Sequence, residues 1–416
     1  MDHTGEYLYE FLDRLSFVRF GGTKDEYRAA QLLQEEIASY GGTSRLMPFE
    51  IPAYTIEKCT MTVAGKPIDC AAMGHSGQLP EGGATLPLVY VENMAAVQSY
   101  DGQLKGFAVL TNFNSLEFYK EMVRQCVAAI IDIDTAKWYE NKELISWEMR
   151  PPFLKVGRIP SFTIRAGDAI QLLKNGAKSV HLELRQYSMP HTSHNILATI
   201  PGTEYDHEDV VLTAHYDSAS VSPGAYDNGT GAVTLLGIYR YFLMHQPKRT
   251  MRFIWCGSEE QGLLGSKAYV SAYREQLQST RLCYNLDSCG TVLGENNIDI
   301  AGPEKLVTLT EQLCREYKFP TSVDLYPDSS DSANFADCGI PAVCPGRGHW
   351  SSCECHTRMD RIDIVSGEKL QEMVDFSVFY LDHFVNADRF PIKREMPEDM
   401  VQQLNSMFYR DEVDVK

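Results

Sequence analysis

The second half of the chain repeats one pattern, in which a short apolar run is followed by a polar loop and a helical stretch. The apolar runs are residues 210–214, 251–255 and 284–286, and the helical stretches between them are 231–245 and 264–278. Apolar runs of this kind are typical of strands buried on both faces, and their alternation with helices is typical of parallel sheets. We therefore predict an α/β fold, with a mixed, largely parallel β-sheet sandwiched by helices.

Helical periodicity also marks both ends of the chain. Apolar residues recur at helical spacing over residues 7–15, and Thr23 with Glu26 forms a capping-box pattern before a second helix that Gly41 ends. Gly367–Val385 is predicted to be a long helix that closes the fold. Residues 391–416 are charged and rich in methionine, which indicates a surface helix with a frayed end.

Residues 55–187 differ from the segments on either side. Short β-type runs there are separated by glycine and proline, and two short helices interrupt them near 115–126 and 166–173. This pattern indicates a separate α/β unit. We therefore expect a discontinuous main domain, residues 1–54 with 188–416, and an inserted domain, residues 55–187.

Composition and charge narrow the range of functions. Of the 416 residues, 44% are hydrophobic and 23% are charged, which is ordinary globular usage and excludes a disordered or coiled-coil chain. Lysine and arginine number 38 against 56 aspartates and glutamates, a net charge of −18. So acidic a chain is a poor binder of nucleic acid.

The same features bear on location and partners. The chain has no apolar run near the ~20 residues of a membrane helix, and the segment MDHTGEYLYE lacks the basic and apolar parts of a secretory signal. Eleven cysteines at scattered spacings do not resemble a disulfide scaffold. We therefore expect free thiols in the cytoplasm and no membrane partner. The oligomeric state stays open, with a homodimer as one alternative.

Metal-binding residue types follow the predicted strands, which is where α/β sheets gather functional groups. Imidazole and carboxylate groups suit zinc. One catalytic zinc takes three protein ligands and a water, whereas two metals sharing a bridging aspartate would use five ligands and leave one glutamate as a base. The candidates are His215, Asp227 in the run GAYDNGTG, Glu259, Glu260, Asp287 and His356.

The spacing of neighbouring residues supports a metal site. Asp217 lies two residues after His215, so it can hydrogen-bond to the far ring nitrogen and fix the tautomer. Glu259 and Glu260 are adjacent and point in different directions, so one can bind metal while the other faces the substrate. Each pair alone is common on protein surfaces or at helix starts. Their order at consecutive strand ends carries the prediction.

These motifs resemble those of the zinc peptidase family M28. The family pattern is an HxD, a D-[DN]-x-[ST]-G loop, an EE pair, a single Asp, and a late His followed by Thr and Asp. The resemblance covers about residues 190–390, residues 1–50 fit the family's N-terminal helices, and the middle segment resembles the protease-associated domain inserted in many relatives. The pattern stands here as His215-Tyr216-Asp217, Asp227-Asn228-Gly229-Thr230-Gly231, Glu259-Glu260, Asp287, and His356-Thr357 with Asp360.

The resemblance implies a division of labour around two zinc ions, with Co²⁺ or Mn²⁺ as alternatives. Glu259 would be the general base that activates a water molecule between the ions, and Asp217 would support catalysis beside it. A cis peptide is expected between Asp227 and Asn228. The implied ligands are His215 and Asp287 for one ion, Glu260 and His356 for the other, and Asp227 as the bridge.

Two departures from the family pattern affect the substrate side. Many relatives have a tyrosine just before the late histidine, where this chain has Cys355. We therefore predict that Tyr326 stabilises the oxyanion, with His349 as the alternative. The family's S-D-H loop reads S-D-S at 330–332, and we predict that Asp331 and Arg347 contact the substrate.

The predicted function is a binuclear zinc aminopeptidase acting on peptides. A carboxypeptidase or dipeptidase on the same scaffold is the first alternative, and an arginine-rich pocket would be its signal. A binding homologue without catalysis and a single-zinc, glutaminyl-cyclase-like enzyme are further alternatives, against which the complete ligand set argues. Cys353 and Cys355 are interpreted as packing thiols rather than as a redox or soft-metal site.

Overall fold

The computed structural model describes residues 4–112, 115–134, 144, 147–348 and 355–410. Two residues named above, His349 and Cys353, lie outside these ranges. The chain divides into two compact units, the first formed by Met1–Ile51 and His191–Phe408 and the second by Pro52–Pro190 and Tyr409–Lys416.

The first unit contains a mixed, largely parallel sheet, as predicted. Its three central strands run parallel to one another, whereas Glu295–Ala301 is antiparallel to Ala342–Gly348 and residues 196–200 are antiparallel to Arg249–Cys256. The strands lie side by side in the order Thr321–Leu325, Glu295–Ala301, Ala342–Gly348, Thr280–Asn285, Tyr205–His215, Arg249–Cys256 and the end of Ser179–Ile200.

Helices cover both faces of this sheet, because its central strands are apolar on both sides. In the strand Tyr205–His215, Val210 and Leu212 pack into one hydrophobic core, and Val211 packs into the other. Such double burial explains why the strand is a continuous apolar run. The helices of the unit are Thr4–Leu15, Lys24–Ser39, Gly231–Met244, Leu264–Ala272, Glu304–Tyr317, Ser332–Asp337, Gly367–Val385 and Glu398–Met407.

Most predicted helix limits agree with the structure. The helix Gly367–Val385 has the predicted bounds, and Thr23 caps the second helix by accepting a hydrogen bond from the Glu26 N–H. The stretch predicted at 264–278 is shorter, because its α-helix ends at Ala272 and a 3₁₀ turn, Gln276–Gln278, follows. Among the described residues, no helix is long and apolar enough to cross a membrane.

The second unit has its own α/β architecture. Four parallel strands form the middle of its sheet, with Ala71–Ala72 antiparallel at one side and residues 179–182 antiparallel at the other. A hairpin joins the end of Ser44–Val63 to Lys66–Ile68. The four parallel strands are Ala84–Tyr90, Ala108–Thr111, Ala129–Asp134 and Ser161–Arg165, and the helices are Met94–Tyr100, Leu116–Arg124, Pro151–Val156 and Ala166–Lys174.

Side chains of this second sheet also pack on both faces. Val109 belongs to one core cluster and its neighbours Ala108 and Leu110 belong to the other. The protease-associated character of this unit and the predicted domain limits stay predictions.

Candidate metal centre

Three adjacent parallel strands deliver most of the candidate ligands to one edge of the sheet. Tyr205–His215 ends at His215 itself, Arg249–Cys256 leads to the glutamate pair, and Thr280–Asn285 leads to Asp287. Because parallel strands end at the same edge, residues far apart in sequence meet there. The turn Ala225–Thr230 adds Asp227, and the segment 355–360, which begins beside His356, adds that histidine.

Asp227 lies between the two histidines and presents one carboxylate oxygen to each. Its Oδ1 is 3.2 Å from Nε2 of His215, and its Oδ2 is 3.0 Å from Nε2 of His356. His356 Nε2 is also 3.0 Å from Glu260 Oε2, and His215 Nε2 is 3.5 Å from Asp287 Oδ1. The five predicted ligands therefore converge around a shared carboxylate.

The same residues form two groups, each compact enough to hold one metal ion. Donor atoms lie within 4.8 Å of one another in each group. Glu259 Oε2 is 3.9 Å from His215 Nε2, which is farther than either aspartate oxygen facing that ring. Glu259 therefore lies at the margin of the first group. The groups are His215, Glu259 and Asp287, and Asp227, Glu260 and His356.

The electrostatics of the cluster favour bound positive charge. Burial opposes a charged ring, yet hydrogen bonds to Asp227 and Glu260 raise the pKa of His356 to about 11. Burial would likewise raise the pKa of Asp227, but hydrogen bonds from both histidines lower it. Burial raises the pKa of Glu259 well above its usual range. The carboxylates thus favour positive charge at both imidazoles, and metal ions would compete with protons for the same nitrogens.

Zinc fits this donor set. Imidazole nitrogens and carboxylate oxygens are zinc ligands. In the described part of the chain, the buried Oε1 of Glu260 has no hydrogen-bond partner, which a cation would supply.

The site shares its sequence with a known family, because residues 195–380 match the profile of peptidase family M28. Residues 195–380 thus carry a peptidase family M28 domain. The chain is 29% identical over 413 residues to aminopeptidase YwaD of Bacillus subtilis (strain 168), covering 94% of this chain and 88% of the relative. It is 24% identical over 333 residues to carboxypeptidase Q of Xenopus laevis, covering 72% of this chain and 67% of the relative.

Solved structures agree with this M28 assignment at the level of the fold. The zinc aminopeptidase BSAP from Bacillus subtilis superposes with a TM-score of 0.77 at 24% identity, covering 95% of this chain and 98% of that structure. The aminopeptidase from Aneurinibacillus sp. strain AM-1 gives a TM-score of 0.73 at 22% identity, covering 94% and 97%.

Asp217 supports both metal groups. Its Oδ1 lies 3.4 Å from Nδ1 of His215, on the far side of the ring, as its position in sequence predicts. It also accepts hydrogen bonds from the backbone N–H groups of Glu259 at 3.0 Å and Glu260 at 3.2 Å. This second contact has no signal in the sequence, because it depends on how the loop after Cys256 turns.

The loop that carries Asp227 is fixed by its neighbours. Asp360 accepts hydrogen bonds from the N–H of Tyr226 at 2.6 Å and of Asp227 at 3.0 Å. The peptide between Asp227 and Asn228 is cis, as the family resemblance predicts. A Cβ at Gly231 would lie 2.2 Å from Asn228 Oδ1, so the last glycine of the motif is required by close contact.

Arg19 is a supporting residue that the sequence does not reveal. Its guanidinium is fully buried, and all of its recorded hydrogen bonds go to main-chain carbonyl oxygens. These carbonyls precede the metal-binding turn or follow the first helix, so Arg19 fixes both segments to each other. Because main-chain acceptors carry no residue identity, no motif marks them. The acceptors are Leu15, Phe17, Tyr216, Pro223 and Gly224.

The residues predicted to contact the substrate do not belong to the cluster of predicted metal ligands. Asp331 is fully buried beside Ser266 and Cys256, and burial raises its pKa to about 6. Its predicted contact with the substrate stays a prediction. Its neighbour Ser330 instead reaches the metal site, donating to Asp287 Oδ2 at 2.5 Å.

The other two substrate-side candidates lie outside the ligand cluster. Arg347 donates hydrogen bonds to the carbonyl oxygens of Thr291 and Val292 and to Asn296 Oδ1, so its guanidinium supports the local backbone. Tyr326 follows the strand Thr321–Leu325 and is 55% exposed. Its predicted role at the oxyanion stays a prediction.

Proposed function

We propose that this M28 protein is a binuclear zinc aminopeptidase. The observation that carries the proposal is the position of Asp227, whose two carboxylate oxygens face two different histidines at 3.2 and 3.0 Å. A carboxylate shared in this way suits two metal ions close together. A single zinc site would need only three protein ligands.

The proposed ligand sets follow from the contacts around that carboxylate. Zinc, when bound, supplies a Lewis acid that polarises the scissile carbonyl and lowers the pKa of water. Asp217 would keep the His215 ring oriented toward the metal from the opposite side. One set is His215, Asp287 and Asp227, and the other is Glu260, His356 and Asp227, with zinc as the proposed metal and Co²⁺ or Mn²⁺ as substitutes.

Glu259 is the proposed general base. Its backbone N–H is held by Asp217, and its side chain lies at the margin of the first metal group. From there the carboxylate would take a proton from the attacking water and later deliver it to the leaving amine.

The direction of cleavage rests on charge. A carboxypeptidase would need a cation for the substrate carboxylate. Arg347, the arginine predicted for such a contact, is engaged by backbone carbonyls and Asn296. The aminopeptidase relative also covers more of this chain than the carboxypeptidase relative does.

The test uses a peptide and its N-acetylated twin, digested with and without a chelator and followed by mass spectrometry. Stepwise loss from the free N-terminus only, stopped by the chelator, is the expected result. Loss from the C-terminus of both peptides would move the assignment to a carboxypeptidase. Lack of cleavage in a preparation that holds metal would contradict the proposed activity and favour a binding homologue.

The proposal also covers the location and the partners of the protein. We infer a cytoplasmic enzyme from the scattered cysteines, with peptides as its substrates and no nucleic-acid or membrane partner. No disulfide bond joins any of the described cysteines.

A further inference from the structure

Two cysteines of the second unit face each other across a hairpin. The hairpin pairs Met61 with Ile68, Thr62 with Pro67 and Val63 with Lys66. Cys59 lies two residues before Met61 in the first strand, and Cys70 lies two residues after Ile68, just beyond the end of the second strand. Their sulfur atoms are 3.6 Å apart.

This separation is close to what a disulfide requires. A disulfide joins sulfurs at about 2.05 Å, so the two atoms need to approach by only about 1.5 Å. Cross-strand neighbours in antiparallel sheets already have closely spaced Cβ atoms. Side-chain rotation within the present hairpin can therefore supply the approach, and the backbone register can stay as it is.

The two thiols are also unequal. The hydrogen bond between the two sulfurs raises the pKa of Cys59 and holds the pKa of Cys70 below its usual range. Both side chains are half-buried at the edge of a hydrophobic cluster, so each has a solvent-facing side. The geometry thus provides a more reactive sulfur with a second thiol in contact with it.

We propose that Cys59 and Cys70 form a reversible dithiol–disulfide site that reacts with low-molecular-weight disulfides such as oxidised glutathione. The Cys70 thiolate attacks one sulfur of the small disulfide, which breaks its S–S bond and releases one thiolate. Cys59 then gives its proton to water and attacks the Cys70 sulfur, releasing the second small thiolate. Two protein thiols and one small disulfide become one protein disulfide and two small thiols, so atoms and electrons balance.

The test is made on the folded, full-length protein. It is incubated in glutathione buffers of rising oxidised fraction, free thiols are blocked by alkylation, and the protein is cleaved before aspartate. Cleavage at Asp69 separates the peptides of Cys59 and Cys70, so a linked pair is diagnostic. We expect the linked pair to form, and a reductant to reverse it. Alkylation of both cysteines at every buffer composition, with glutathione found on the exposed Cys126, would overturn the proposal.

Matched variants separate the two chemical steps. In Cys59→Ser, glutathione should remain attached to Cys70, because no second thiol resolves the mixed disulfide. In Cys126→Ser, the link between Cys59 and Cys70 should form as in the unmodified protein. Absence of any adduct on Cys70 in a folded Cys59→Ser protein would contradict the assigned order of attack. Circular dichroism shows whether each variant is folded. The experiment on the unmodified protein tests the site even if a variant fails to fold.

Discussion

The backbone N–H of Glu259 donates to Oδ1 of Asp217 at 3.0 Å, and this bond ties the proposed base to the residue that orients a metal ligand. The other oxygen of Asp217 receives the N–H of Glu260 at 3.2 Å, while Oδ1 also faces His215. One buried carboxylate therefore sets the position of three functional side chains.

Asp217→Asn should disturb all three contacts. An amide offers one oxygen where the carboxylate offers two, so its NH₂ group must face a donor. We expect metal affinity to fall by about 10- to 100-fold, as is usual when a partner of a ligating histidine is changed. Competition with a chromogenic chelator measures this loss. Unchanged affinity would mean that Asp217 does not orient the ligand set.

Glu259→Gln should separate metal binding from catalysis. Glutamine has the shape of glutamate but cannot carry the proton, so turnover should fall by at least about 10²-fold while metal content is retained. Metal analysis and peptide hydrolysis on the same preparation make the comparison. Glu260→Gln is the matched control, since it changes a proposed ligand and should lower metal affinity. Near-normal kcat in a metal-loaded Glu259→Gln protein would remove the base assignment.

Glu26 should make the stability of the protein depend on pH. Burial, followed by repulsion from Asp217, raises its pKa from an ordinary 4.5 to about 8 in the folded state. The folded protein therefore holds a proton that the unfolded chain releases. Its contribution to stability is complete below about pH 4.5 and is lost as the pH rises toward 8, by on the order of 5 kcal/mol.

The measurement for Glu26 is urea unfolding of chelated protein at pH 5.5 and pH 8.5, since bound metal would add its own pH dependence. Glu26→Gln cannot titrate, so its stability should fall less between the two values. An equal fall in both proteins would show that Glu26 ionises normally in the folded state.

Arg19→Lys should destabilise the fold although it preserves the charge. A lysine nitrogen cannot reach the same spread of carbonyl oxygens, and each buried acceptor left unpaired costs about 1–3 kcal/mol. We expect a loss on the order of 3 kcal/mol in urea unfolding. Arg361→Lys is the control, because Arg361 pairs with Asp363 on the exposed surface and its replacement should change little. Equal effects of the two substitutions would refute the supporting role of Arg19.

Local pattern and motif order were sufficient to predict the sheet and the ligand cluster. The run 210–214 is apolar throughout because its side chains enter cores on both faces of the sheet, and this pattern predicts a strand. In Gly367–Val385, apolar residues recur at helical spacing along the whole length. His215 and Asp287 meet because adjacent parallel strands end together. Such features are encoded in residue type and spacing alone.

Contacts between distant segments were not predictable in the same way. Arg19 binds carbonyls about 200 positions away, and Cys59 meets Cys70 only through the register of a hairpin. Asp331 sits in a motif that resembles a substrate loop, yet its neighbours enclose it completely. In each case the identity of the residue is compatible with several roles, and the three-dimensional packing selects one.

The helix Gly367–Val385 covers one face of the main sheet, where Leu370, Val374 and Phe376 join the strand side chains in the core. During synthesis this helix leaves the ribosome after every metal ligand, because the last ligand, His356, precedes it in the chain. A growing chain would thus contain all five proposed ligands before the helix Gly367–Val385 has packed on the apolar face of the sheet. We therefore expect zinc to be acquired only after this helix has been synthesised and has docked, so that the strand ends have become fixed.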